Sequence, residues 1–75
     1  MLKINPVGKN QTEIETDSMT IFFSYKTPVA CFIAGQGYFK TNQKWSVTTS
    51  KHINKWLDGR EHEIRSQGFF DNLIK

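Results

Sequence analysis

The sequence predicts an α+β fold: a small antiparallel β-meander of three or four strands, a helix packed across it, and a short C-terminal helix. Three observations predict it. Residues 19–41 concentrate β-branched and aromatic residues between turn signals at Thr27-Pro28 and Gly35-Gln36-Gly37. Ile53, Trp56 and Leu57 follow at i, i+3, i+4 spacing with Gly59 just beyond, the pattern of a short amphipathic helix with a glycine stop. Phe69, Phe70, Leu73 and Ile74 repeat a helical spacing near the end. The 75 residues are read as one domain: an arm or edge strand over 1–18, a sheet-plus-helix core over 19–59, and a C-terminal helix or tail over 60–75.

Taken in order, Leu2 and Ile4 alternate ahead of Pro6, which marks an edge position because proline cannot donate to a ladder. Gly8-Lys9-Asn10 is turn chemistry, and residues 11–16 are polar and weakly β, with only Ile14 to bury. Residues 19–25 form the first strong strand, with Ile21, Phe23 and Tyr25 on one face and Thr20, Phe22 and Ser24 on the other. Residues 29–34 form a second strand, with Val29, Cys31 and Ile33 on one face and Phe32 opposite. It has no polar face, so it belongs in the centre, covered on both sides. After the glycine hairpin come strands over 38–41 and 44–48, joined at Asn42-Gln43. A two-residue turn there sets Lys40 against Trp45 and Tyr38 against Val47. Thr48, Thr49 and Ser50 offer helix N-caps, and the helix runs to about Asp58. Trp45 and Trp56 are expected to close over one apolar interior. Residues 60–67 hold only Ile64 among charges and read as a linker or helix extension; Ser66 offers a cap for the last helix.

Composition narrows the class. Aromatics are 13% of the residues, so they supply much of a thin core. A single cysteine excludes an internal disulfide and suits a reducing compartment. With neither a signal-peptide pattern nor an apolar run near the ~20 residues of a membrane span, a cytoplasmic location without membrane attachment is expected. One helix covers one face of a sheet that is apolar on both. Either the C-terminal helix or a second copy must cover the other, and a homodimer is expected.

Charge is unevenly placed. Residues 26–55 carry Lys26, Lys40, Lys44, Lys51 and Lys55 with no acid, while the segments on either side are each net −1. A basic middle is the footprint of a phosphate-bearing partner. The expected nucleic-acid or phosphate-binding residues are Lys40, Lys44, Thr49, Ser50, Lys51 and Lys55, with the hydroxyls at a helix N-terminus. Tyr38 and Phe39 either join Lys40 and Lys44 in an aromatic-plus-basic surface or belong to the core. The alternative is a module that docks on another protein through Phe69, Phe70, Leu73 and Ile74.

Catalysis is not expected. Cys31 lies among apolar strand residues, His62 shares no face with Glu61 and Glu63, and no metal-ligand spacing, phosphate loop or nucleophile elbow is found. No catalytic residue, metal or cofactor is therefore assigned.

Two stretches, SYKTPVA at 24–30 and TNQKWSVTTSKHI at 41–53, resemble small uncharacterised proteins encoded by bacteriophages and prophages. The shared pattern is similar to Ser-Tyr-x-Thr-Pro-Val-Ala, a glycine-containing hairpin, then Ser-x-Thr-Thr-Ser-x-His-Ile. The resemblance covers about residues 20–59. It implies a viral accessory protein acting in the host cytoplasm, whose protein partner in the docking alternative is a host or phage protein, and it brings no activity with it.

Overall fold

The computed structural model describes residues 2–74. Five strands run as an antiparallel meander: β1 (Lys3–Gly8), β2 (Gln11–Glu15), β3 (Met19–Ser24), β4 (Thr27–Ile33) and β5 (Gly37–Thr41). Helix α1 (Val47–Leu57) then crosses over to β6 (His62–Arg65), which pairs with β5 in parallel, and α2 (Gln67–Leu73) follows. The α+β class holds, but the sheet has six strands in sequence order and is mixed, larger than the expected three- or four-stranded antiparallel meander.

The two helices cover opposite faces. Phe22 and Ala30 pack with Ile53 and Leu57 of α1. Ile21, Cys31 and Phe39 pack with Phe70 of α2. Because successive strand residues point to opposite faces, β3 and β4 serve two small cores at once. The C-terminal helix therefore covers the second central face within the chain. Leu2, just ahead of β1, and Ile4 on that edge strand remain exposed.

Val29 departs from strict alternation. Phe22 pairs with Ala30 and Phe23 with Pro28, so Val29 is an extra residue, a β-bulge. The bulge turns Val29 toward α1, next to Ala30, rather than leaving it on the Cys31 and Ile33 face as alternation predicts. Pro28, which has no N–H, sits beside this irregularity, where the ladder needs least from it.

The expected strand over 44–48 does not form. Residues 43–46 are irregular, and α1 begins earlier, at Val47, because Ser46 is its N-cap. The Ser46 hydroxyl accepts from the Thr49 N–H at 3.1 Å, so Thr48, Thr49 and Ser50 lie inside the helix instead of capping it. The place beside β5 is taken by β6: Lys40 lies between Ala30 and Ile64, and Tyr38 between Phe32 and His62. Segment 60–67 is thus neither linker nor helix extension. Trp45 does not share an interior with Trp56. Trp56 stacks on Phe22 at 5.2 Å and meets Tyr38 edge-on, and its indole N–H donates to Glu13. Trp45 is 48% exposed at the end of the sheet.

Cys31 is fully buried, and burial pushes its thiol up from 9.0 to about 11. Because the folded value is the higher one, the unfolded chain ionises first, and stability falls as pH rises between those values. Urea midpoints near pH 8 and pH 10.5 are expected to differ more for this protein than for a Cys31→Val variant, isolating the thiol from other groups that titrate there.

Candidate nucleic-acid interface

Two polar networks shape the end of the sheet where both helices begin. In the first, Ser24 Oγ lies 3.1 Å from Thr49 Oγ1 and 3.0 Å from His52 Nδ1, and the Ser46 hydroxyl donates to Thr49 Oγ1 at 3.3 Å. Ser24 and Thr49 are 2% and 5% exposed. Each buried hydrogen bond of this kind is worth about 1 kcal/mol, and together they fasten the first turns of α1 to β3. The Ser24–His52 contact has the elements of a nucleophile and base. The hydroxyl, however, is shared with Thr49 and shut beneath the helix, so its geometry is that of an anchor.

The second network centres on Gln67, the first residue of α2. Its Oε1 accepts from Thr41 Oγ1 at 2.8 Å and from the Trp45 indole N–H at 3.2 Å. Its Nε2 donates to the Pro28 carbonyl at 2.7 Å and to Asp71 Oδ1 at 3.1 Å. The strand pairs between β4 and β5 end at Ala30 and Lys40, so Gln67 satisfies a carbonyl beyond that point. The same side chain fixes an indole that is otherwise half in water.

Around these networks runs a chain of three clefts. The first, about 310 Å³, lies between α1 and β6 and is lined by Lys40, Lys44, Ser50, Ile53, Asn54 and Ile64 among others. The second, about 410 Å³, shares Lys44, Ser50 and Asn54 with it and adds Trp45, Ser46 and Lys51. The third, about 290 Å³, shares Trp45 and Ser46 with the second and ends at Tyr25 and Thr27. Among the described residues, no carboxylate lines any of the three. Glu13, Glu15 and Asp58 line other clefts, around Trp56 and Arg60.

The expected site residues divide accordingly. Lys40, Lys44, Ser50 and Lys51 come together along the groove. Lys55 does not: it lines a separate cleft with Trp56, Asp58 and Arg60. Thr49 is buried, with its hydroxyl committed to Ser24 and Ser46, and offers nothing to a phosphate. Phe39 is core, and Tyr38 packs against Phe32, Trp56 and the Arg60 guanidinium, away from the groove. On α2, Phe70 is fully buried, and Phe69 and Leu73 pack against the same core. Those three cover this chain's own sheet, and only Ile74 of the expected docking set is exposed.

Sequence reading missed Trp45 and Tyr25 as groove residues because alternation placed both in strands. Tyr25 instead occupies the turn between β3 and β4 with φ 58°. That left-handed backbone costs an ordinary L-residue about 1–2 kcal/mol. The usable signals were local: Ser46 three residues before Thr49 as a cap, and Tyr25-Lys26 as a two-residue hairpin turn.

Fold and groove together define a small α+β domain: a mixed six-stranded sheet between two helices, with a basic, carboxylate-free groove at one end. No curated protein and no solved structure matches the chain. Residues 2–72 match the family of unknown function DUF8033, and the chain belongs to that family. No described helix is long and apolar enough to cross a membrane.

Proposed function

We propose that this domain is a binding module for nucleic acid, gripping the phosphate backbone with Lys40, Lys44 and Lys51. The observation that carries the reading is the segregation of charge: two adjoining clefts hold these lysines, neither they nor the third cleft beside them is lined by a carboxylate among the described residues, and acidic side chains line clefts elsewhere. A groove of one sign concentrates an anionic chain and orients it. Lys44 lies where the first two clefts meet, so one ammonium serves both. The role is binding rather than catalysis. The hydroxyl–imidazole contact between Ser24 and His52 is spent on holding α1 in place.

Contacts of this kind depend steeply on salt. Three lysine–phosphate contacts to a single strand give a slope of log affinity against log salt of about −2, at about −0.7 per phosphate. Labelled oligonucleotides titrated by fluorescence anisotropy from about 50 mM salt upward are expected to show it. Lys44→Ala is expected to flatten the slope by about 0.7 and to weaken binding to all sequences alike. Lys55→Ala, outside the groove, serves as the control and is expected to do less. Absence of binding at about 50 mM salt to single-stranded and duplex oligonucleotides alike overturns the proposal.

A further inference from the structure

The groove ends in two exposed aromatic side chains, Trp45 and Tyr25, 48% and 52% accessible, which line the same cleft of about 290 Å³ over the buried Val29. Trp45 lies on an irregular loop, where an exposed ring would ordinarily turn freely. Here its N–H is held by Gln67, and Gln67 is itself tied to Thr41, Pro28 and Asp71. The ring is presented already oriented, so a ligand that stacks on it loses little conformational freedom of the protein. Tyr25 is presented from a tight turn whose backbone N–H is tied to the Asn10 carbonyl. Lys44 lines the neighbouring cleft beside Trp45.

We propose that this cleft stacks an unpaired base, so that the ligand of the groove is single-stranded nucleic acid rather than duplex. The inference rests on the nucleic-acid reading above and adds the strand class to it. Duplexes bury the faces of their bases, whereas single strands offer them to aromatic side chains beside a basic track. An apolar partner such as a proline-rich peptide also uses exposed aromatics. The carboxylate-free, lysine-lined continuation of the cleft favours a polyanion instead.

The test compares four nucleic-acid probes by anisotropy, with a labelled proline-rich peptide beside them: a single-stranded DNA, the same sequence as RNA, its duplex, and an abasic strand of equal length. Wild-type protein is expected to bind both single strands about tenfold or more tighter than the abasic strand, which has the phosphates but no bases to stack. Trp45→Ala is expected to remove that preference and leave the weak, salt-dependent binding to the abasic strand unchanged. Trp45→Phe, which keeps a stacking face, is expected to restore most of it, and circular dichroism melts confirm that both variants are folded. If all four probes bind equally and Trp45→Ala changes nothing, the stacking inference falls while the phosphate-binding proposal stands. If no probe binds, or a proline-rich peptide alone binds through Trp45, both fall.

Discussion

Phe22→Ala is expected to lower stability by about 3–5 kcal/mol, the usual cost of emptying a buried aromatic site. Phe22 is the fully buried centre of the α1 core, touching β4 at Ala30 and stacked under Trp56. A chain of 75 residues has a total stability of about 4–11 kcal/mol, so the loss removes a large share of it. The cavity cannot collapse easily. Val29 on the bulge is already fully buried, and α1 is held at its start by Ser24 and Thr49. Urea unfolding followed by far-ultraviolet circular dichroism measures the effect independently of the disturbed Trp56. A loss under about 1 kcal/mol would mean that α1 is not held by this ring.

The second large effect lies on the other face. Phe70→Asp is expected to leave the protein largely unfolded at 37 °C. Phe70 is fully buried among Ile21, Cys31 and Phe39. Its replacement loses the same apolar contacts and also places a carboxylate among apolar side chains, where the guanidinium over Phe39, that of Arg65, is already paired with Glu63. Burying an unpaired charge costs several kcal/mol beyond the lost packing. Phe70→Leu keeps most of the volume and is expected to cost less than about 1.5 kcal/mol. The pair of variants also decides what α2 is for. A protein that stayed folded with Phe70→Asp would show that the sheet does not need α2 as a cover, returning the Phe69, Phe70, Leu73 and Ile74 face to service as a docking surface. The measurement is thermal unfolding of both variants alongside light scattering for self-association.

What could be read from the sequence was decided by how strongly each segment is buried. Strands β3 and β4 and the hairpin after them were legible because long apolar runs lie between turn residues, and both faces of those strands are in fact covered. The α1 stripe was legible because Ile53, Trp56 and Leu57 all pack on the sheet at helical spacing. Strand β6 was not. His62, Glu63 and Ile64 are exposed and Arg65 only half-buried, and a charged strand with one neighbour carries no burial pattern. The displacement of Trp45 followed from the same blind spot, since the partner of β5 comes from the far side of a helix. The lysines of the groove were visible as a run without acids. Their association with Tyr25 and Trp45 was not, because it depends on a turn at 25–26 and on Gln67, a polar residue whose importance lies in three hydrogen bonds to distant parts of the chain.

The attachment of the Trp45 loop has a thermodynamic corollary. The loop is fastened where the Asn42 N–H meets the Arg65 carbonyl and where the indole meets Gln67, and both fasteners come from β6 and the start of α2. A four-residue edge strand with three exposed residues has few buried contacts to oppose transient local opening. Each such opening sets the loop adrift. By reciprocity, whatever grips the indole also keeps that terminal seam shut, and whatever loosens the seam weakens the grip by the same factor.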